Sequence, residues 1–508
     1  MTDAASADAA GNTETPTTGI DRKAGMGVMV AACVSTLIVN ANTSAVTILL
    51  PAIGDDLDTP ISTLQWAVTG YSLVGAACIV TSGALGDVFG RRKIFLGGLL
   101  LFIASCALIA IAPGGIAVIV GRCIQGAAGS TLLASGLSLL TIASSGSERL
   151  RAVSYWGSAS AIGAAAGPLI GGVLVDSLGW QALFWLDAVI AAALVPVTLK
   201  AVSESSDPNR SRSIDWLGTV LIALVLAPFI LGVSQGSTWG WMSVPTLACF
   251  AVAVASIVAF AVVERKVPAP LVDLDLLKNK MLIGATLGIL IGAAAINGLM
   301  FVLSLFFQDP STLGMTPLQA GLATLPATVG MVALTPAVPK LASKFGTRIV
   351  IGVGFILMTA GFALLLGTRS TWGYGLFVLP LVLAAIGMCL SNNPCSSVAT
   401  SSVDASQVGA ASGISNMARY VGAAVMTAIV AALYSVVSTD RQGAGETAGD
   451  ALAAGFRAAS VSLVVVSALG IVLIFLVGRH RPAQPTSGVD VAIAAAAPAH
   501  TIPHPTKA

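Results

Sequence analysis

Charge is what this sequence has least of. Asp, Glu, Lys and Arg make up 9% of its 508 residues, against roughly 25% in a soluble globular protein. A chain so poor in charge, 56% hydrophobic and with a mean hydropathy of +0.91, is solvated mainly by lipid. Histidine is nearly missing: His480, His500 and His504 all lie in a polar C-terminal stretch. The apolar body therefore offers no imidazole, which excludes Ser-His and Cys-His nucleophilic pairs there and leaves only carboxylates to carry a proton. The seven cysteines sit in apolar stretches without paired spacing, so neither disulfides nor a metal site is expected. No G-x-x-x-x-G-K-[ST] phosphate loop occurs, which argues against ATP-driven work by this chain alone. A net charge of +2 gives no reason to expect nucleic acid.

What the sequence has in abundance is long apolar runs. Crossing hydrocarbon as a helix takes about 20 apolar residues. That ruler predicts spans near 27–49, 64–86, 94–112, 115–142, 153–175, 182–200, 216–233, 244–263, 281–306, 318–338, 349–367, 374–398, 409–437 and 455–478. Fourteen spans put both termini on one side. With the N-terminus inside, all but five of the 25 basic residues are cytoplasmic; Arg122 and Arg419 fall in spans, and Arg369, Arg441 and Arg457 outside. The positive-inside rule holds at every cytoplasmic loop except the one around Asp404. Residues 1–24 lack the apolar core of a signal peptide. Both they and residues 479–508 read as disordered cytoplasmic tails.

Between the second and third spans lies Gly83-Ala-Leu-Gly-Asp87-Val-Phe-Gly90-Arg91-Arg92-Lys93. Charges this dense belong at a membrane surface, and the cations place it on the cytoplasmic side. The pattern G-x-x-x-D-x-x-G-R-R-K resembles the helix 2–3 signature of the major facilitator superfamily. Gly163, Gly167 and Gly171, spaced by four, share one helix face where a neighbouring backbone fits closely, and Pro168 invites a bend. With Gly172 they resemble the fifth-helix motif of that family's antiporters, which the resemblance ties to exchange. Gly121-Arg122-Cys-Ile-Gln125-Gly126 is similar to the family's R-x-x-Q-G motif, implicated in proton handling. Arg419, in Ser412-Gly-Ile-Ser-Asn416-Met-Ala-Arg419, resembles an S-G-x-x-N-x-x-R pattern of the fourteen-span drug exporters, although a position near a membrane surface would serve it equally.

The chain thus resembles the fourteen-helix drug/proton antiporters of the multidrug efflux type. The resemblance implies an all-α membrane protein with two six-helix bundles plus two extra helices, divided as 25–200, 201–263 (linker and insert) and 264–478. It implies a multi-pass cell-membrane transporter rather than an enzyme. Such a protein exports hydrophobic or amphipathic small molecules by alternating access, as a monomer, with a proton gradient and no cofactor as its driving force. A lipid or envelope-precursor translocator on the same fold is the alternative reading. A nutrient symporter is weaker, because the fifth-span Gly-Pro motif argues against it.

Two departures bear on mechanism. Where the branch carries a membrane aspartate in its first span, this sequence has Asn42, and where a W-R-W-x-F-x-x-N run opens the sixth span, it has Trp180-Gln-Ala-Leu-Phe184-Trp-Leu-Asp187. Asp187 is the one acid inside the expected spans, about a turn and a half from the outer surface. It is either a proton carrier or an interfacial cap. Asn42 is expected to line an apolar cavity with Asn297 and Asn393. With Arg122 and Arg419 supplying positive charge, that cavity would favour neutral or anionic amphiphiles over dications. Reporter fusions at residues 87–93 and 340–348 should both report a cytoplasmic location; an external location for either would overturn the topology.

Overall fold

The computed structural model describes residues 22–144, 146–204, 215–267, 270, 276–403 and 408–474. Among them every regular element is a helix, the form in which a backbone satisfies its own hydrogen bonds where no water is present. The first bundle comprises α1 (Arg22–Asp56), α2 (Ile61–Phe89), α3 (Arg91–Ala110), α4 (Gly115–Ile142), α5 (Gly146–Leu178) and α6 (Gln181–Ala201). The insert is α7 (Trp216–Trp239) with α8 (Val244–Glu264). The second bundle runs through α9 (Lys280–Gln308), α10 (Pro317–Ala323), α11 (Leu325–Leu334), α12 (Val338–Phe345), α13 (Thr347–Leu365), α14 (Gly375–Ser401), α15 (Val408–Gly443) and α16 (Ala448–Leu473).

Eleven helices among the described residues are long and apolar enough to cross a membrane. A twelfth is α5 when its arms Tyr155–Ala164 and Ala166–Leu178, bent by 42°, are taken together. Pro168 explains the bend: it cannot donate to the carbonyl of residue 164. The other two expected spans correspond to α2 and to residues 317–345, so the arrangement is consistent with fourteen.

Three details differ from the sequence reading. The continuous span expected at 318–338 is instead segmented into α10, α11, a 3₁₀ turn at Thr335–Ala337 and α12. Pro317, Pro326, Pro336 and Pro339 each withhold a backbone donor there. Helix α1 begins at Arg22 and takes in residues 22–24, which were assigned to the tail; residues 479–508 lie outside the described residues. The charged hairpin is tighter than a loop, because α2 ends at Phe89 and α3 begins at Arg91. The single joint is Gly90 at φ 104°, and Gly346 at φ 88° joins α12 to α13 in the same way. Only glycine adopts that conformation without strain.

The bundles repeat each other's packing. In the first, α1 packs on α5 and α6, α2 on α4, and α3 on α4 and α6. In the second, α9 packs on α15 and α16, α11 on α14, and α13 on α14 and α16. Equal chain order in both halves is the mark of a parallel repeat about an axis along the membrane normal. Among the described residues the bundles meet mainly along α2 against α15 and α5 against α10, with α1 also touching α9 and α5 touching α11, while α7 lies along α2 and α15.

The glycine face of α5 is spent on α1. A Cβ at Gly163 or Gly167 would stand 2.3 Å from the carbonyl oxygens of Leu37 and Ala41, and one at Gly171 would meet Leu49 at 2.8 Å. Gly422 of α15 meets the Leu290 carbonyl of α9 at the same 2.3 Å. Backbone oxygens cannot swing aside as flexible side chains do, so a methyl group there must push the helices apart. Gly167→Ala should therefore lower stability by about 1–3 kcal/mol, the usual cost of overpacking. Gly157→Ala, where nothing lies within 4 Å of the added carbon, should not. Thermal unfolding in detergent tests the pair, and equal midpoints would refute the packing argument.

Candidate functional site

Four helices of the first bundle bring polar groups to one buried point. Helix α4 supplies Arg122 and Gln125, whose i, i+3 spacing puts them on one face. Helix α1 supplies Asn42, α2 supplies Tyr71 and α6 supplies Asp187. Arg122 and Gln125 are 0% exposed, Asn42 1% and Asp187 4%. Arg122 Nη1 donates to Asn42 Oδ1 at 2.6 Å and also to Gln125 Oε1. Its Nε donates to the Ala67 carbonyl at 3.0 Å, and the guanidinium lies 4.2 Å from the centre of the Tyr71 ring. Gln125 Nε2 in turn donates to Cys106 Sγ at 3.0 Å.

The amide of Asn42 links the two charges. Its oxygen accepts from Arg122 and its Nδ2 donates to Asp187 Oδ2 at 2.7 Å. A guanidinium stripped of water is tolerable only with such partners and an opposite charge close by. An aspartate at position 42 would face Arg122 equally well but would present like charge to Asp187. The asparagine that looked like a loss of function is thus the residue that fits between a cation and an anion.

Several expectations change here. Asn42 does not line an open cavity. Asp187 lies about two turns inside α6 and bonds across to α1, so it is not an interfacial cap. Gln181, which replaces the family's arginine, donates with Trp180 to Asp56 Oδ2. Asn297, half-buried, donates to the Ala293 carbonyl, and Asn393 is exposed, so neither is withdrawn from lining a cavity. Tyr71, Cys106 and Tyr420 escaped the sequence reading. Only the rarity of tyrosine, five in the chain, singles out two of them.

Arg419 is half-buried on α15, facing α14. Its Nη2 reaches Asn392 Oδ1 at 3.4 Å and Ser396 Oγ at 3.5 Å, both long, and its Nε is buried without a partner. The adjacent Tyr420 crosses the seam between bundles: its ring lies 6.2 Å from that of Tyr71 and fills the space above Gly75.

The hairpin is held within its own bundle. Arg92 donates from Nη2 to the Leu199 carbonyl at 2.8 Å and from its backbone to Glu204 Oε1 at 3.2 Å, at the end of α6. Gly90 leaves room for the same carboxylate, which an added Cβ would meet at 2.4 Å. Arg91 opens α3, Gly83 borders open space, and Asp87 falls in the last turn of α2; its side chain lies outside the described residues.

At the opposite end the bundles close on each other. A Cβ on Gly172 would stand 2.7 Å from the Pro317 carbonyl oxygen, and one on Gly321 would stand 2.4 Å from that of Pro168. Thr316 Oγ1 donates to Asp176 at 3.0 Å, Ser304 Oγ to the Thr47 carbonyl at 2.6 Å, and Gln308 Nε2 to the Ile48 carbonyl at 3.1 Å. The Gly-Pro stretch of α5 therefore packs α1 with one face and seals the α10 seam with another.

The sequence model of the Major Facilitator Superfamily matches residues 32–427 and 285–502. The chain belongs to the major facilitator superfamily. Among similar superfamily members, the tetracenomycin C resistance and export protein of Streptomyces glaucescens is 30% identical over 80% of this chain and 74% of its own. The multidrug efflux pump LfrA of Mycolicibacterium smegmatis is 30% identical over 78% and 79%. A solved POT family peptide transporter superposes with a TM-score of 0.64 at 13% identity, over 92% of this chain and 98% of that one, and supports the fold alone. The chain is a multi-pass membrane transporter of the superfamily's multidrug efflux type, acting on small molecules.

Removing one charge of the buried network strands the other. Arg122→Met should cost about 3–5 kcal/mol of stability. Adding Asp187→Asn to it should recover part of that loss, because contacting groups couple non-additively. Denaturant unfolding of the two singles and the double variant checks this; simple additivity would show that the charges do not sense each other.

Proposed function

We propose that this transporter exports hydrophobic or amphipathic small molecules by alternating access, driven by proton influx. The observation that carries the reading is the closure of the bundles on each other at the end away from the basic hairpin. Glycine contacts and hydrogen bonds join the bundles at the end bearing Thr316 and Asp176. At the other end, Arg92 of the hairpin is tied to its own bundle through α6. With the basic hairpin cytoplasmic, as the loop charges argue, this is a conformation shut towards the outside, one half of an alternating-access cycle. Both termini then lie in the cytoplasm, the chain works as a monomer in the cell membrane, and the bundles divide as 25–200 and 264–478 about the insert.

Asp187 supports the proton half of the proposal. It is the one acid in the expected spans, and it is joined through Asn42 to Arg122, so protonation would release one end of a charge-linked chain that ties α6 to α1 and α4. Such a chain has two states, paired and unpaired, and a bundle can be biased between conformations by choosing one.

The test uses cells lacking the gene, complemented with wild type or Asp187→Asn, and follows efflux of the neutral dye phenylnaphthylamine with and without an uncoupler. Wild type should export the dye, and the uncoupler should abolish export. The variant should lose at least tenfold in uncoupler-sensitive export while reaching the membrane normally. Unchanged, uncoupler-sensitive export by Asp187→Asn would sink its role. An altered lipid profile in the deletion strain with unchanged dye and drug tolerance would sink the substrate class.

A further inference from the structure

Arg122 and Arg419 both lie deep within helices of this transporter, and their situations differ. Arg122 donates from Nε and Nη1 to a carbonyl and two side-chain amides and lies against a tyrosine face and, through Asn42, a carboxylate, although its Nη2 is buried without a partner. Arg419 has nothing comparable. Its Nη2 makes only the two long contacts to Asn392 and Ser396, its Nε is buried without a partner, and among the described residues no carboxylate is hydrogen-bonded to it. One turn away on the same face, the Ser415 hydroxyl is buried and also lacks a partner. Asn392, 8% exposed, carries its amide nitrogen over Gly292 of α9, where α9, α14 and α15 meet.

An uncompensated guanidinium in a low-dielectric bundle is costly, and the neighbouring groups are neutral amides and hydroxyls, which orient around an anion without competing for it. A planar guanidinium with unsatisfied N–H groups presents the fork that binds an oxyanion. The position is at the seam: the next residue, Tyr420, stacks towards Tyr71 of the other bundle, giving an aromatic surface beside the charge. We infer that Arg419, with Asn392, Ser396 and Ser415, forms an anchor for the oxyanionic group (carboxylate, phenolate or sulfonate) of an amphipathic substrate whose apolar body lies along Tyr420. This rests on the proposal that the protein carries amphiphiles, and goes beyond it in naming the charge recognised and the residue that recognises it.

A matched dye pair tests it: anilinonaphthalene sulfonate, an anion, and phenylnaphthylamine, the same skeleton without the sulfonate. Binding to the purified full-length protein is read by fluorescence titration. Arg419→Gln should weaken sulfonate binding at least tenfold, about 1.4 kcal/mol, and leave the neutral dye within twofold. Arg419→Lys should restore most of the sulfonate affinity. Asn392→Asp keeps the arginine but gives it an internal carboxylate, so it too should weaken the sulfonate dye while raising the unfolding temperature. That variant keeps the test decisive should Arg419→Gln fail to fold. Unchanged sulfonate binding in Arg419→Gln and Asn392→Asp, or equal loss of both dyes, overturns the anchor and leaves the amphiphile reading standing. Binding of neither dye by wild type overturns both.

Discussion

A guanidinium with no exposure to solvent sits inside an apolar helix bundle, and the first half of this protein is organised around making that tolerable. Hydrocarbon supplies no compensating water, so Arg122 must find its partners in neighbouring helices. It finds them on α1, α2 and its own α4, with Asp187 of α6 behind Asn42. Side-chain hydrogen bonds of this kind fix rotation as well as distance. Apolar faces alone would let helices slide past one another, because lipid is as good a neighbour for Leu as another Leu is. A polar knot across four helices sets one register for the bundle.

The remaining order comes from the absence of side chains. Gly163 and Gly167 let α5 lie directly on the carbonyl oxygens of α1, as Gly422 does for α15 on α9. Close backbones give van der Waals contact where no hydrophobic effect drives association. The repeat of these contacts between bundles, together with Gly90 and Gly346 at the two helix joints, shows that pseudo-symmetry resides in backbone geometry. It does not extend to the polar residues. The second bundle has nothing resembling the Arg122 knot among its described residues; it has Arg419, poorly partnered and beside the seam. The two buried arginines thus sit in unlike surroundings, one in a dense polar network and the other on two long contacts.

The stretch at 317–345 is segmented beside one of the seams. Where α10 meets α5, Gly321 and Gly172 bring the bundles together; beyond it, prolines prevent a continuous helix. The seal rests on backbone approach, and the joint lies next to it in the chain.

Much of this was legible in the residues. Scarce charge fixed the membrane as solvent, the length of the apolar runs located the helices with ends off by up to about seven residues, and four-residue spacing identified the face of α5 that meets a neighbour. These are local properties: period and hydropathy are written along the chain, and the lipid environment leaves the helix as the backbone's only way to satisfy itself there. The fate of Asn42 was not legible. Taken alone it is an asparagine where an acid was expected; its meaning depends on Asp187, 145 positions away, and on Arg122 between them. Nor did spacing reveal that Arg419 would lack a counter-charge, since that depends on which faces of α9 and α14 are turned towards it. The sequence by itself determined what each helix would present. Tertiary packing alone decided which presentations meet, because in a lipid solvent the choice of partner is made by the few close-packed and polar contacts between helices and not by the apolar surface they all share.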